Sequence, residues 1–256
     1  MNGKLTKRFG GEEMFIVKKK HELARDWFLD LLFPKKCVNC GLENNWLCDN
    51  CQKLLGINKI YRCPICHKIQ IDCRVCGGCQ DQSFLDGLWV LANYSNPLIQ
   101  KIIQLIKYNY ISDLAFYFDK LIEEYFKEIG GWQKENILVP VPLHRRRFLW
   151  RGFNQAELIC ERIKAVFDNQ INNQILIRKQ NNKPQVKLPA SERRKNASGI
   201  FKLNNFARGA FSDIMDQVDI VLVDDVYTTG STMQEGAKTL KDAGFKTVWG
   251  LVVARD

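Results

Sequence analysis

The chain has 256 residues, of which 46% are hydrophobic and 26% are charged, and its formal net charge is +10. This composition is typical of a folded globular protein and excludes a disordered or fibrous one. The sequence contains neither the roughly 18 consecutive apolar residues of a membrane helix nor a signal peptide, so we expect a cytoplasmic protein without a membrane span.

Residues 1–36 are interpreted as a polar N-terminal lead-in. Gly-Gly-Glu-Glu at positions 10–13 can be encoded by a purine-rich run that resembles a bacterial ribosome-binding site, and Met14 follows directly. We therefore expect translation to begin at Met14.

Nine of the ten cysteines lie between Cys37 and Cys79, mostly in pairs separated by two residues. Two such pairs supply the four thiolates that a tetrahedral zinc ion needs. The pattern therefore predicts a double zinc ribbon over residues 37–80, with one or two Zn²⁺ ions. The expected ligands are Cys37, Cys40, Cys48, Cys51, Cys63, Cys66, Cys76 and Cys79.

Alternatives remain open for this cysteine-rich segment. A disulfide framework belongs to oxidising compartments, and an iron–sulfur cluster also uses cysteine ligands, but neither fits an intracellular chain with evenly paired cysteines as well as zinc does. The spacing does not tell which pair joins which, so an interleaved arrangement is possible. Cys73 is expected to be surplus because Gly77 and Gly78 allow a tight turn between Cys76 and Cys79.

Residues 81–256 alternate between strand and helix patterns, which predicts an α/β domain with a parallel sheet and right-handed crossovers. The predicted strands are 88–94, 137–141, 218–223 and 246–253. The predicted helices begin at Pro97, span residues 114–129 and 153–167, and run from Ser231 to Ala243. In such sheets ligands bind beyond the carboxyl ends of the strands, so the loops at those ends are the candidate site.

The loop after the strand at 218–223 carries the strongest functional signal. Two carboxylates, Asp224 and Asp225, are followed by a loop of small and hydroxyl residues that opens a helix. These loop residues are Thr228, Thr229, Gly230, Ser231 and Thr232. Amides and hydroxyls at a helix N-terminus suit a phosphate, whereas adjacent carboxylates suit sugar hydroxyls or Mg²⁺. The alternative is that the same residues merely cap the helix.

Residues 221–233 resemble the phosphoribosyl-pyrophosphate (PRPP) motif of type I phosphoribosyltransferases. The chain as a whole, over residues 27–256, resembles the ComF family of competence proteins. That likeness rests on the cysteine-rich head, on Leu-Ile-Lys-Tyr at 105–108, on Val-Pro-Val-Pro-Leu at 139–143, on Arg-Gly-Phe-Asn-Gln at 151–155 and on Arg193 with Asn196. The resemblance implies a Rossmann-like phosphoribosyltransferase domain at 81–256 after the zinc ribbon.

The resemblance also implies roles for individual residues. Asp224 and Asp225 would contact the ribose together with Mg²⁺, and the loop from Thr228 to Thr232 would hold the 5′-phosphate. Residues 178–200 resemble a flexible hood over the site. The expected pyrophosphate or anion contacts are Arg145, Arg146, Arg147 and Arg151, and the expected hood or DNA contacts are Arg193, Arg194 and Lys195.

Two functions of different classes follow. The first is binding of PRPP or a related phosphorylated ribose, with phosphoribosyltransferase activity. The second, which the ComF resemblance implies, is handling of incoming single-stranded DNA in natural competence, together with other competence proteins. Residues 137–207 favour it, because they carry 14 basic and four acidic side chains, a net charge of +10, with aromatic residues among the arginines. The alternatives are an active phosphoribosyltransferase of nucleotide metabolism without a DNA role and a catalytically dead scaffold that docks partners.

Overall fold

The structure is a computed structural model that describes residues 34–179, 199–204, 215 and 217–256. The lead-in up to residue 33, with the expected start at Met14, lies outside the described residues. So do Arg193, Arg194 and Lys195. The chain divides into two compact units, of which the first ends at Cys51 and the second begins at Gln52.

The described part of the first unit is a small cysteine-containing fold. An antiparallel bridge joins Lys36 to Glu43, and a tight turn forms between them, in which the amide of Gly41 donates to the carbonyl of Cys37 over 2.9 Å. Helix α1 (Asp49–Gln52) follows after Leu47, which is almost fully buried.

A five-stranded parallel sheet is the centre of the second unit. Its strands are β1 (Gly87–Asn93), β2 (Ile137–Pro140), β3 (Gln170–Ile171), β6 (Asp219–Tyr227) and β7 (Thr247–Arg255), in the spatial order β1-β7-β6-β2-β3. Two short strands, β4 (Leu176–Arg178) and β5 (Phe201–Leu203), form a separate antiparallel pair. The predicted parallel α/β architecture is confirmed.

Within the described part of this unit, five helices accompany the strands. They are α2 (Pro97–Asn109), α3 (Phe118–Ile129), α4 (Arg145–Arg151), α5 (Gln155–Phe167) and α6 (Ser231–Ala243), and 3-10 helices cover Gly77–Gln82 and Ser112–Tyr117. Local signals set several ends. The side chain of Asn96 accepts a hydrogen bond from the amide of Leu98 at the start of α2, where Pro97 takes the first helical position. Among the described residues, no helix combines the length and the apolar character that crossing a membrane requires.

The segment 142–167 differs from the expectation. The expected loop at 142–147 is partly helix α4, which begins because the His144 side chain accepts from the amide of Arg146. The single helix expected at 153–167 begins only at Gln155, where Asn154 caps it, and Gly152 at φ +79° separates the two helices. The predicted helix at 114–129 likewise starts as a 3-10 helix and becomes α-helical from Phe118.

Strand β6 is longer than the apolar run that predicted it. It continues through both aspartates to Tyr227, because the neighbouring β7 pairs with it as far as the register Tyr227–Arg255. The centre of β6 is buried on both faces, with Val221, Leu222 and Val223 inaccessible to solvent. Helix α5 packs against one side of the sheet through β2 and β6, and α6 packs against β5, β6 and β7. The strand thus carries its two acids from a rigid core to the open edge of the sheet.

Candidate functional site

A cleft with a volume of about 590 Å³ opens at the carboxyl edge of the sheet. It brings together the predicted acid pair, the whole predicted phosphate loop and two of the four predicted anion-binding arginines. Its charged and loop lining comprises Lys107, Arg147, Arg151, Arg178, Asp224, Asp225, Asp256, Thr228, Thr229, Gly230, Ser231 and Thr232. The remaining two arginines, Arg145 and Arg146, are exposed on α4 and are not part of this lining.

The acid pair forms the negative end of the cleft. The amide of Asp225 donates to the Asp224 carboxylate over 2.8 Å, and the Lys107 ammonium lies 2.9 Å from a carboxylate oxygen of Asp225. Burial, reinforced by the charge of Asp225, raises the pKa of Asp224 to about 7. Asp224 is therefore near its titration point at neutral pH, and a cation that binds the pair would favour its ionised form.

Lys107 is a site residue whose role the sequence did not reveal. It lies in the last turn of α2, and its side chain is only 20% exposed. Burial lowers the pKa of Lys107, but the carboxylate of Asp225 more than offsets this, so the pKa is raised and the side chain stays charged. The sequence signal was the Leu-Ile-Lys-Tyr motif at 105–108, which supported the family resemblance without a role for its lysine.

The phosphate loop has the geometry of an uncapped helix start. Gly230 occupies the cap position of α6 at φ +73°, and no side chain caps the helix. The hydroxyls of Thr229 and Ser231 lie 2.9 Å apart and bond to each other. Since Gly230 offers no side chain to cap the helix and residues 228–232 line the cleft, the interpretation that these residues merely cap the helix is disfavoured.

Three guanidinium groups form the positive end of the cleft. Arg147 and Arg151 come from α4, and Arg178 comes from the end of β4. Burial lowers the pKa of Arg147, and the neighbouring charge of Arg151 lowers it further. Burial also lowers the pKa of Arg178, and the charge of Arg147 adds to this. Such like charges repel one another until an anion lies between them.

Polar atoms at this end also lack partners. The Nε atoms of Arg151 and Arg178 and the amide nitrogen of Gln155 are buried without a hydrogen-bond partner in the described part of the chain. Buried donors of this kind are costly, and a bound water, ion or ligand would satisfy them. The sequence had placed residue 178 at the start of a hood, and only the pairing of β4 with β5 brings Arg178 to the cleft.

At the rim of the cleft, which Trp150 also lines, α4 and the end of α2 expose an aromatic and basic surface, here called the α4 surface. It consists of Arg145, Arg146, Phe148, Leu149, Trp150 and Tyr110. Trp150 is 62% exposed and packs edge-on against Tyr110, with ring centroids 6.0 Å apart. Large exposed apolar side chains among arginines are typical of a binding surface.

The cysteines form two groups that could each hold a zinc ion. One group is Cys37, Cys40, Cys48 and Cys51, and the other is Cys63, Cys66, Cys76 and Cys79. Within each group the ligand atoms lie within 4.8 Å of one another. A tetrahedral zinc ion with Zn–S bonds of about 2.3 Å places its sulfurs about 3.8 Å apart, so both groups fit. The pairing is sequential along the chain.

Cys73 lies outside both groups. Its thiol is 3.5 Å from the hydroxyl of the buried Tyr125. The first cysteine of each group, in contrast, is prepared for metal binding. Burial raises the pKa of Cys37 and Cys63, but backbone amides of neighbouring residues more than offset this and lower each pKa to about 6. A thiolate that accepts backbone hydrogen bonds is the form that binds zinc.

No family model matches the chain. Individual proteins do. The chain is 30% identical over 227 residues to the DNA utilization protein YhgH of Escherichia coli O157:H7, which covers 85% of the chain and 96% of that protein. It is 29% identical to competence protein F of Haemophilus influenzae, over 87% of the chain and 98% of that protein. It is 28% identical to competence protein ComFC of Bacillus subtilis, over 77% and 79% respectively.

Proposed function

The chain belongs to the ComF family, and from this premise we propose that it is a PRPP-binding, phosphoribosyltransferase-like protein that acts in competence and DNA uptake. The observation that carries PRPP binding is that one cleft holds groups of both charges. Two carboxylates, three guanidinium groups and the loop at the start of α6 all line it.

This arrangement matches a phosphorylated ribose group by group. The carboxylates of Asp224 and Asp225 accept hydrogen bonds from ribose hydroxyls, and the amides and hydroxyls from Thr228 to Thr232 hold a 5′-phosphate. The guanidinium groups of Arg147, Arg151 and Arg178 supply planar, permanently charged donors for a pyrophosphate. The unpartnered Nε atoms at this end support that assignment.

Magnesium belongs to the same proposal. Mg²⁺ prefers carboxylate and phosphate oxygens. Asp224 and Asp225 bring two adjacent carboxylates to the lining of the cleft. The ion would neutralise charge on the pyrophosphate. In the protein alone, the Lys107 ammonium supplies the positive charge that faces Asp225. For transfer to an acceptor, the arginines would stabilise the departing pyrophosphate, and the acid pair would fix the ribose.

Calorimetric titration with Mg-PRPP tests this proposal. We expect one site per chain and an affinity that weakens as the pH falls below about 7. Asp224 has a pKa of about 7 in the protein alone, and below that pH it must release a proton to meet the cation. The expected loss is up to about tenfold per pH unit. A wild-type protein that releases no heat with Mg-PRPP at pH 8 would contradict PRPP binding.

A DNA-handling role is the second part of the proposal. The relatives are named competence and DNA utilization proteins, and the α4 surface is the feature of this chain that suits a single strand. Arg145 and Arg146 can contact phosphates, and the exposed rings of Phe148 and Trp150 can stack on bases. The acid pair repels a DNA backbone, so we place DNA on the α4 surface and PRPP in the cleft.

Replacing Arg145 and Arg146 by alanine is expected to weaken single-stranded DNA binding and to flatten its salt dependence. Each lost phosphate contact lowers the slope of log K against log salt by about 0.7, so the double variant should lose about 1.4. Trp150→Ala is expected to weaken binding about tenfold with an unchanged slope, because stacking releases no ions. Fluorescence anisotropy over a salt series measures both.

The matched control removes two exposed lysines elsewhere, Lys101 on α2 and Lys127 on α3. It changes the net charge by the same amount and should leave the slope within about 0.3 of the wild-type value. Equal slopes for the arginine variant and this control would place the DNA contacts away from the α4 surface. The basic residues Arg193, Arg194 and Lys195, which lie outside the described residues, would then be the next to replace.

A further inference from the structure

The second zinc group and the phosphate loop are connected through Tyr227. This residue ends β6 directly before the loop, and its side chain is 2% exposed. Its hydroxyl donates to the carbonyl of Pro64 over 3.1 Å, and Pro64 lies between the ligands Cys63 and Cys66. The phosphate loop thus begins at a residue whose side chain is held by a metal-binding turn.

The Tyr227 ring also supports the loop itself. A Cβ atom placed on Gly230 would overlap the Tyr227 hydroxyl, so the ring lies directly against the backbone of the loop. Gly230 is the cap residue from which the first turn of α6 starts. A displacement of the ring therefore opens a void beneath the amides that face the cleft, and the loop loses the surface on which it rests.

Arg255 provides a second connection between the same two elements. Its guanidinium donates to the carbonyls of Arg62 and Cys63 and lies 2.9 Å from Nδ1 of His67. The same guanidinium lies over the Tyr227 ring, 5.2 Å from its centroid, and the register of β6 and β7 pairs the two residues. One cation thus joins the backbone at the start of the metal-binding turn, and the His67 imidazole after it, to the residue that begins the loop.

The apolar core that supports the turn is small. The core of this small module consists of Cys63, Val75 and Cys79, with Ile65 and Cys76 packed against it. Three of these five residues are zinc ligands. A module with so few apolar side chains does not keep its fold when its thiolates lose the metal that neutralises them, because the binding energy of zinc is its folding energy.

We propose that Tyr227 and Arg255 are positioning residues through which the zinc ion on Cys63, Cys66, Cys76 and Cys79 sets the conformation of the phosphate loop. Zinc keeps Pro64 and Cys63 in place, these carbonyls fix Tyr227 and Arg255, and the Tyr227 ring fixes Gly230. Loss of zinc from this group loosens the loop from Thr228 to Thr232. The consequence for PRPP affinity rests on the proposed function, whereas the consequence for the loop does not.

Hydrogen–deuterium exchange of residues 227–233 in the full chain tests the connection without any ligand. Cys66→Ser replaces an exposed member of the second cysteine group, so this group should lose its zinc ion. We then expect hydrogen–deuterium exchange of residues 227–233 to rise about tenfold. Cys73→Ser is the control, because Cys73 lies between Cys66 and Cys76 in the chain and belongs to neither cysteine group. It should keep both zinc ions and wild-type exchange.

Two further variants separate positioning from unfolding. Tyr227→Phe removes only the hydroxyl, which reaches Pro64 and also bonds to the Gln234 side chain, and Arg255→Gln removes the guanidinium. Both should retain two zinc ions by metal analysis, raise exchange of 227–233 by about fivefold to tenfold and leave exchange of β1 unchanged. Unchanged exchange of 227–233 in these two zinc-loaded variants would overturn the proposal.

Calorimetry with Mg-PRPP then distinguishes this inference from the proposed function. If the wild-type protein binds Mg-PRPP, Tyr227→Phe should weaken it about tenfold, in line with the exchange. If the wild-type protein does not bind it while the exchange responds as expected, the proposed ligand is wrong and the connection between zinc and loop stands. If Mg-PRPP binds equally well to the wild-type protein and to all zinc-loaded variants, the contacts of Tyr227 and Arg255 do not influence ligand binding.

Discussion

Replacing Asp224 and Asp225 together by asparagine is expected to abolish the thermal stabilisation that Mg-PRPP gives the protein. Both carboxylates lie at the negative end of the cleft, and asparagine keeps their size while removing the charge that binds Mg²⁺. A ligand at 100 times its dissociation constant stabilises a protein by about 2.7 kcal/mol, which raises the melting temperature of a chain of this size by about 5–10 °C. The double variant should show no rise.

The comparison is made between each protein with and without ligand, because the substitutions also change the protein alone. Asp224→Asn removes a buried acidic group, and Asp225→Asn removes the carboxylate that pairs with the Lys107 ammonium. Binding of single-stranded DNA should persist, since the α4 surface is untouched.

An exposed double variant, Asp113→Asn with Asp242→Asn, is the matched control for the loss of two charges. It should keep the full thermal shift. A double variant of the acid pair that is still stabilised by Mg-PRPP would show that the ligand binds elsewhere on the chain. A control that loses the shift as well would show that net charge, and not the acid pair, determines binding.

The parts of this site that depend on local chain signals could be predicted from the sequence. Helix α6 runs from Ser231 to Ala243 as expected, because Gly230 and Gly244 mark its two ends by their positive φ angles. The acid pair and the loop lie together at the sheet edge because they are adjacent in sequence and follow a strand whose buried centre fixes them. Contacts of this kind need no knowledge of tertiary packing.

The positive end of the cleft could not be predicted in the same way. Arg178 reaches it because β4 pairs with β5, two short strands that are separated by residues 179–200 and have no periodic pattern of their own. Lys107 reaches Asp225 because α2 and β6 meet at the sheet edge. The pairing of the cysteines was open for the same reason, since spacing along the chain does not determine which turns meet in space.

Gly230→Ala is expected to destabilise the protein by about 3 kcal/mol and to remove Mg-PRPP binding. About 1–2 kcal/mol of this comes from placing an alanine at φ +73°, which L-residues adopt at a cost. The rest comes from Tyr227, whose hydroxyl a new Cβ would overlap, so that the ring must leave the carbonyl of Pro64. Thermal unfolding measures the first effect, with an expected loss of about 6–12 °C, and calorimetry the second.

Gly131→Ala separates the two contributions. Gly131 also has a positive φ angle, +80°, but a Cβ there would meet no atom within 4 Å. Its replacement should cost only the backbone strain of about 1–2 kcal/mol and leave ligand binding intact. Equal destabilisation by the two substitutions would mean that the Tyr227 ring moves aside at no cost. The Tyr227 ring contacts Gly230 and its hydroxyl bonds to the carbonyl of Pro64, so a Cβ at Gly230 must displace it from both. We therefore expect Gly230→Ala to lower the stability more than Gly131→Ala does.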